Sequence, residues 1–238
     1  MAREPVEMMV ESVTLEVPDS KTIQLKWPEG FNPEFKTGQF VTAYWPDEPD
    51  YKRAYSLSSC ALDRGAYEFT VRRSGKMGTR LVDWIKVGHR LMVLPPAGKF
   101  LPVYEPDVHL ICVAGGSGVT PFRGFVREAT QRGLETRITV LYSVRTPSDI
   151  IFNKEFNELA DQNLNFNFHV TCTRMEKDDP WPDRQGRIDA EWIRAHMQDP
   201  GKTVFYACGP TALVAGVEKI VIEQLGVPKA QMKTEKWG

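Results

Sequence analysis

Hydrophobic residues in the first part of the chain come in short runs that are rich in β-branched and aromatic side chains and are separated by breakers. This pattern predicts β-strands, and the runs are VEMMVESVTLEV, TIQLKW, QFVTAYWP, RAYSLSS, YEFTVRR and HRLMVLPPAGKF. A helix is indicated only in GTRLVDWIKVG, where Gly78 and Thr79 are placed to cap a helix that ends at Gly88. So many short strands within about 100 residues are typical of a small closed or nearly closed antiparallel β-barrel.

Strands and helices alternate in the rest of the chain. Apolar strands are predicted in VHLICVAG, RITVLYSV, NFNFHVTCTR and TVFYACG, and a short last strand in QMKTEKW. Helices are predicted in PFRGFVREATQRG, IIFNKEFNELADQ, DAEWIRAHM and PTALVAGVEKIVIEQLG. This rhythm predicts an α/β doubly wound domain, with a parallel sheet and helices on both faces. The two patterns meet in KFLPVYEPDV, so we expect a barrel domain over residues 1–102 and an α/β domain over residues 103–238.

Composition and charge narrow the class of protein. Hydrophobic residues make up 42% of the chain, which is enough for a packed core. The net charge of −1 gives no support to a nucleic-acid partner, which usually requires a basic excess. No apolar run approaches the ~20 residues of a membrane span, and the N-terminal residues MAREPVEMMVES are too charged for a secretory signal. We therefore expect a cytoplasmic protein with no membrane segment.

The cysteines and histidines of the chain are scattered. Cys60, Cys112, Cys172 and Cys208 form no CxxC pair, and the histidines show no spacing of the HExxH kind. We therefore expect no metal site, no local iron–sulfur cluster and no disulfide framework.

The stretch HLICVAGGSGVTPFRGFVREA has the outline of a strand, a phosphate-binding turn and a helix. Glycines let the backbone approach a pyrophosphate, and the helix that follows supplies free N–H groups and a favourable dipole. Thr120 is placed as the N-cap and Pro121 in the first helical turn. A purely structural turn is the alternative, but a strand before and a helix after favour nucleotide binding. The candidate binding residues are Gly115, Gly116, Gly118, Thr120 and Pro121.

One feature departs from the usual dinucleotide fingerprint. The next strand ends in Ser143, Val144 and Arg145, without the acidic residue that would bind a ribose hydroxyl. The dinucleotide is therefore held differently, or is not the usual one.

Further motifs occur in a fixed order around the glycine cluster: RAYSLSS from Arg53, CGP from Cys208, and the terminal EKWG. Together they resemble the ferredoxin–NADP reductase family of flavoproteins, from GQF at Gly38 to the last residue. The resemblance implies a barrel that holds flavin, as FAD or alternatively FMN, and an α/β domain that binds NADPH or NADH.

The resemblance also assigns roles in flavin binding. It implies that Arg53 neutralises a flavin phosphate, that Tyr55 packs against the isoalloxazine, and that Ser56 hydrogen-bonds the atom N5 that receives hydride. The segment VRRSGKMGTRL resembles the family's second flavin segment, with Gly78 and Thr79 at a helix N-terminus. The flavin-binding candidates are Arg53, Ala54, Tyr55, Ser56, Thr70, Val71, Gly78 and Thr79.

The C-terminal motifs concern the nicotinamide. By resemblance, Cys208 lies beside the nicotinamide ring, and Glu235 and Trp237 form a Glu-x-aromatic ending whose aromatic ring covers the flavin and must yield to nicotinamide. Arg145 and Arg174 end successive strands, where basic residues of NADPH-using relatives hold the 2′-phosphate, and NADH remains the alternative. The catalytic candidates are therefore Ser56, Cys208, Glu235 and Trp237, and Gly209 and Pro210 are further cofactor-binding candidates.

The function expected from the resemblance is that of an NAD(P)H-dependent flavoprotein reductase. Hydride passes between NAD(P)H and the bound flavin, which transfers electrons to a separate acceptor, namely ferredoxin, an oxygenase component, free flavin or a quinone. The alternatives are an electron-transfer or regulatory subunit of a larger redox complex, and a barrel protein that binds no flavin. We expect a monomer.

Overall fold

The computed structural model of the protein describes residues 4–175 and 181–237. In the first part of the chain the strands are β1 Val6–Val17, β2 Ser20–Lys26, β3 Phe40–Tyr44, β4 Arg53–Ser56, β5 Ala66–Arg72 and β6 Arg90–Ala97, with helix α1 Gly75–Trp84. In the second part the strands are β7 His109–Gly115, β8 Arg137–Val144, β9 Phe166–Cys172, β10 Arg184–Gln185, β11 Thr203–Pro210 and β12 Met232–Trp237. The helices there are α2 Thr120–Gln131, α3 Asn153–Gln162, α4 Ala190–His196 and α5 Thr211–Lys219.

The first six strands form an antiparallel sheet in the order β4-β3-β6-β1-β2-β5. An isolated bridge between Leu57, just after β4, and Phe69 of β5 joins the two edges of this sheet. The amide of Ser58 also donates to the carbonyl of Glu68 at 2.8 Å. The predicted nearly closed antiparallel barrel is therefore confirmed, and the segment that closes it directly follows the motif RAYS.

The second sheet is six-stranded and parallel, in the order β10-β9-β8-β7-β11-β12. Every residue of β7 is buried, as expected for a central strand that is covered on both faces. One core contains Phe122 and Phe125 of α2, and the other contains Val214 and Val217 of α5. The predicted doubly wound domain is thus confirmed. Its strand order reverses at β7, which has β8 on one side and β11 on the other.

Two predicted helix starts are wrong. Helix α1 begins at Gly75 and ends at Trp84, so Gly78 and Thr79 lie inside the helix instead of at its N-terminus, and Gly88 lies beyond its end. The helix starts earlier because the apolar side chains of Met77 and Leu81 are buried in the barrel core. Thr79 is exposed.

The N-cap prediction for Thr120 is also wrong. A turn of 3₁₀ helix over Gly116–Val119 precedes α2, and Thr120 is the first α-helical residue. Its hydroxyl donates back to the carbonyl of Ser117 at 2.6 Å and does not cap a later amide. Pro121 lies in the first turn of α2, as predicted.

The segment between the two sheets packs on the second domain. Phe100 contacts the ring of Tyr206 edge-on, with centroids 5.3 Å apart. The Tyr206 hydroxyl donates to the carbonyl of Leu101 at 2.9 Å and accepts from the amide of Val103 at 3.1 Å. The predicted domain boundary, between residues 102 and 103, falls inside this segment and stays a prediction.

A network of charged side chains connects the two domains. Arg123 of α2 donates to Glu68 of the barrel at 2.6 Å and to Glu155 of α3 at 2.7 Å. Arg127, one turn later, contacts Glu68 at 3.2 Å and Asp63 of the barrel at 3.1 Å. Helix α2 is thus bound to the barrel through Glu68 of β5 and Asp63 of the loop before it.

Membrane-spanning and metal-binding features can be assessed over the described residues. None of the helices there is long and apolar enough to cross a membrane. Within the same ranges, no group of three or more His, Cys, Asp or Glu side chains is arranged to hold a metal ion. Cys60, Cys112, Cys172 and Cys208 are all free and buried.

Candidate functional site

A cavity of about 800 Å³ lies between the barrel and the parallel sheet. This volume is within the range of small-molecule and cofactor sites, about 300–1,000 Å³. The cavity brings together many of the residues that the sequence motifs single out. Those in its wall are Arg53, Ala54, Tyr55, Ser56, Thr70, Val71, Gly78, Gly115, Gly116, Thr120, Arg145, Pro210 and Trp237.

The barrel side of the cavity offers an aromatic surface. The ring of Tyr55 stacks on Phe69, with centroids 4.8 Å apart and an angle of 19° between the planes. Burial raises the pKa of the Tyr55 hydroxyl well above its usual value, so this group stays protonated. Tyr55 therefore presents a rigid ring and a hydrogen-bond donor, as expected for a residue that packs against a planar cofactor.

Another part of this wall combines the guanidinium of Arg53 with the N-terminal backbone amides of α1. Arg53 is exposed, donates to the carbonyl of Lys52 at 2.8 Å, and lies over the ring of Tyr51 at 4.2 Å. Among the described residues, no carboxylate pairs with Arg53 in an ion pair. The first turn of α1, from Gly75 to Met77, lies in the same wall. An arginine and a helix N-terminus are the donors that a phosphate requires, so these residues fit the phosphates of a flavin nucleotide.

Gly115, the last residue of β7, and Gly116, the first residue of the turn that follows, lie in the wall. Gly116 adopts the left-handed conformation, with φ +53°, and its carbonyl accepts from the buried hydroxyl of Tyr142 at 2.9 Å. A Cβ on Gly115 would lie 2.6 Å from Leu213 Cδ1. Larger residues at these positions would displace either the backbone or the wall.

Other predicted residues serve packing. A Cβ on Gly118 would lie 2.1 Å from the carbonyl oxygen of Cys208, and one on Gly209 would lie 3.0 Å from that of Gly115. These glycines let the turn after β7 approach β11 closely. They are absent from the cavity wall, as are Thr79, Pro121 and Arg174. Arg174 is exposed, and its amide donates to the carbonyl of Arg145 at 2.8 Å.

Two of the catalytic candidates contact the carboxylate of a third, Glu235. The Ser56 hydroxyl donates to Glu235 Oε2 at 2.7 Å, and the Cys208 thiol lies 3.8 Å from the same oxygen. Parallel pairing of β11 with β12 sets Cys208 beside Glu235. Burial raises the pKa of Glu235, opposed by the bonds from Ser56 and Cys208. The pKa of the Cys208 thiol is raised mainly by burial and secondly by the nearby charge of Glu235, so the thiol stays protonated.

Trp237 is the last described residue and lies in the cavity wall with 38% of its surface exposed. Its carbonyl accepts from the Thr211 hydroxyl at 3.3 Å, and its backbone pairs with Pro210. The terminal residues are thus part of the sheet. Gly238, which completes the motif EKWG, lies outside the described residues. The expectation that the indole covers the flavin stays a prediction.

Family comparisons agree with this two-part site. A model described as an oxidoreductase FAD-binding domain matches residues 7–101, and one described as an oxidoreductase NAD-binding domain matches residues 112–219. The chain belongs to the ferredoxin–NADP reductase family. It is an oxidoreductase with one domain for FAD and one for NAD(P), which confirms FAD as the expected flavin and leaves the choice between NADH and NADPH open.

Relatives of this reductase family differ in length. The chain is 26% identical to ferredoxin–NADP reductase B of Sorangium cellulosum over 98% of both chains. It is 28% identical to a glycine betaine monooxygenase reductase subunit of Chromohalobacter salexigens, over 86% of this chain and 56% of that relative. It is 25% identical to a subunit of the Na(+)-translocating NADH-quinone reductase of a Marinomonas species, over 92% of this chain and 64% of that relative. The chain thus spans between half and two thirds of several curated relatives it matches.

Solved structures share the fold. The flavohem-like FAD/NAD binding domain of nitric oxide dioxygenase from Vibrio cholerae superposes with a TM-score of 0.85 at 23% identity, over 99% of this chain and 100% of that domain. The ferredoxin reductase in carbazole 1,9a-dioxygenase superposes with a TM-score of 0.84 at 21% identity, over 98% of this chain and 69% of that one.

Several wall residues were not among the binding candidates predicted from the sequence. Asp19, Tyr51, Arg72, Lys76 and Ser117 also line the cavity. Lys76 had a recognisable signal, because it follows the glycine that begins α1. Asp19 and Tyr51 had none, since each lies in a turn or loop whose neighbours in space are far away in sequence.

Proposed function

We propose that the protein is an NAD(P)H-dependent, FAD-containing reductase that passes electrons to a separate acceptor. The observation that carries this proposal is the single cavity whose wall contains both the flavin motif from Arg53 to Ser56 and the glycine turn at Gly115 and Gly116. A shared cavity allows two cofactors to meet, and close alignment of the reacting rings is the main contribution of such a protein.

The proposed roles of the residues follow from their geometry. When bound, FAD supplies the redox chemistry, taking up hydride from a nicotinamide and releasing electrons to an acceptor. Arg53 and the first turn of α1 bind its phosphates, and the ring of Tyr55 orients it. The Ser56 hydroxyl donates to Glu235, a carboxylate whose raised pKa suits it to accept a proton. Cys208 packs behind this pair, and Trp237 shields the cavity.

The acceptor is proposed to be another protein or a small molecule: ferredoxin, an oxygenase component, free flavin or a quinone. Relatives named as reductase subunits of an oxygenase and of a quinone reductase support this range. They also favour the second candidate, an electron-transfer subunit of a larger redox complex, because the chain spans only part of them. We further propose a monomer, since one chain provides both walls of the cavity, and a cytoplasmic location, which the free cysteines support.

The first test is the visible spectrum of the purified protein, which should show flavin bands near ~450 nm and release FAD on denaturation. Arg53→Ala should lower FAD occupancy, because the phosphates lose a charge-assisted contact. Arg90→Ala is the matched control, since Arg90 is exposed, pairs with Glu7 and is not part of the cavity wall. Equal FAD occupancy in Arg53→Ala and wild type would reject the role of Arg53.

A second measurement separates the two candidate functions. Oxidation of NADH or NADPH by the isolated chain, with ferricyanide as the acceptor, is expected for a self-sufficient reductase. A chain that binds FAD but oxidises neither dinucleotide would support the subunit that acts only within a complex.

A further inference from the structure

The loop between β3 and β4 is tied to helix α1 by charged side chains. Arg80 of α1 donates to Asp47 Oδ2 at 2.9 Å and to Glu48 Oε1 at 2.8 Å. Its guanidinium also lies over the ring of Trp45, with Cζ 4.1 Å from the centroid. Within the loop, the amide of Tyr51 donates to the carbonyl of Glu48 at 3.0 Å. The loop therefore has a defined shape that α1 helps to hold.

The ring of Tyr51 contacts two cations that come from different elements. Arg53 of β4 lies with Cζ 4.2 Å from the ring centroid, and Lys76 in the first turn of α1 lies with Nζ 5.3 Å from it. Both distances are within the range of about 6 Å over which a cation is attracted to an aromatic ring. All three side chains line the large cavity. Tyr51 thus connects the two positively charged parts of its wall.

Tyr51 is better fixed than the cations that it contacts. It is half-buried and packs against the barrel core. Arg53 is exposed, and the side chain of Lys76 is 60% exposed. Long exposed side chains lose rotamer freedom when they bind a ligand, which costs about 0.5–1.5 kcal/mol for each. A ring that already holds both cations in place removes part of that cost.

The charges around Tyr51 favour an anion. Glu48 is shared between two cations, since its Oε1 accepts from Arg80 and its Oε2 from Lys76, each at 2.8 Å. Arg53 pairs with no carboxylate among the described residues. The N-terminal amides of α1 add a partial positive charge at the same place. Positive charge is therefore in excess here, as a ligand with more than one phosphate requires.

We propose that Tyr51 is a positioning residue for the flavin: its ring holds Arg53 and Lys76 in the orientation in which both bind the phosphates of FAD. This inference rests on the proposed function. Tyr51 acts through the two cations, so its contribution to FAD affinity should depend on their charge. It should also require the aromatic ring of Tyr51 and not the hydroxyl.

The test is the dissociation constant of FAD, measured by serial dilution of the FAD-loaded protein and the fluorescence of the flavin that is released. Tyr51→Leu should raise this constant about tenfold at low salt, because two mobile side chains must then be ordered on binding. Tyr51→Phe, which keeps the ring, should bind FAD as tightly as wild type. In about 1 M salt the difference between Tyr51→Leu and wild type should shrink to about threefold or less, because the charges are screened.

A second pair of variants tests the proposal without altering the ring. Lys76→Gln should raise the dissociation constant about threefold, a modest loss because the side chain is largely exposed. Lys52→Gln is the matched control, since Lys52 lies over the ring of Tyr44 at 4.9 Å and is not part of the cavity wall. It should leave FAD affinity unchanged. Both substitutions are on exposed side chains, so this comparison decides the matter even if Tyr51→Leu fails to fold.

Several results would overturn the inference. Unchanged FAD affinity in Tyr51→Leu or in Lys76→Gln would remove the proposed role. An equal loss in Tyr51→Leu at low and high salt would show that Tyr51 acts by shape and not through the cations. A loss in Tyr51→Phe as large as in Tyr51→Leu would assign the effect to the hydroxyl. All of these results require a wild-type protein that binds FAD, whereas a wild type that takes up none would refute the proposed function itself, so the two failures are distinguishable.

Discussion

The charged network between the domains should be a major source of their cohesion, and Arg123→Met tests it. The Arg123 side chain is 12% exposed and donates to Glu68 and Glu155 at 2.6 and 2.7 Å. Removing one partner of a buried ion pair costs about 3–5 kcal/mol, because it leaves an uncompensated charge. Arg127 still contacts both carboxylates, at 3.2 and 3.9 Å. Because Arg127 partly compensates these charges, we expect Arg123→Met to lower the free energy of unfolding by about 2 kcal/mol, which is less than that range.

The assay is thermal and urea unfolding of wild type and variants at neutral pH. A loss of about 2 kcal/mol corresponds to a fall of about 4–8 °C in Tm for a chain of this size. Arg90→Met is the control, since Arg90 pairs with Glu7 at the same 2.6 Å but is 60% exposed. That exposed pair should contribute about 1 kcal/mol or less. The reasoning would be refuted if Arg123→Met lowered the free energy of unfolding no more than Arg90→Met does.

A double-mutant cycle with Glu68→Gln identifies the contact responsible. Arg123 and Glu68 touch directly, so the two single variants should lose together about 1–2 kcal/mol more unfolding free energy than the double variant loses. Additive losses would show that the stabilisation comes from another contact of Arg123, whose guanidinium lies over the ring of Phe152 with Cζ 4.9 Å from the centroid.

Three more outcomes are expected. Burial raises the pKa of Glu235 above its ordinary value of 4.5, so its contribution to stability is full below pH 4.5 and is lost as the pH rises through the folded-state pKa. Unfolding measured across pH should show Glu235→Gln more stable than wild type at neutral pH, with the advantage vanishing in acid. Gly118→Ala should cost about 3 kcal/mol, because its Cβ would meet the carbonyl of Cys208 at 2.1 Å, whereas Gly216→Ala, with nothing within 4 Å, should cost nothing. Trp237→Ala should tighten dinucleotide binding about tenfold or more in equilibrium titrations, if the indole covers the site in most molecules, and equal dissociation constants would exclude that role.

Local patterns in the sequence were enough for every described strand except the two-residue β10, and for the grouping of the strands into an antiparallel and a parallel sheet. β-Branched and aromatic runs specify strands through side-chain packing on a pleated surface, and the alternation of strands with helices specifies a parallel sheet. The ordered motifs also singled out Arg53, Ser56 and the glycine turn at Gly116 as cofactor-binding residues, and all three line one cavity. These inferences depend on residues that are neighbours along the chain.

Only the tertiary structure decided which distant residues meet. Ser56 and Glu235 are separated by 179 residues, and their hydrogen bond exists because the barrel docks against the end of the parallel sheet. The same docking brings Arg72 to Gly116 and Arg123 to Glu68. Helix starts were misplaced for a related reason: the N-terminus of α1 is set by the burial of its apolar face in the barrel core. Spacing along the chain reports turn chemistry and periodicity, whereas contact across two domains depends on how their surfaces fit.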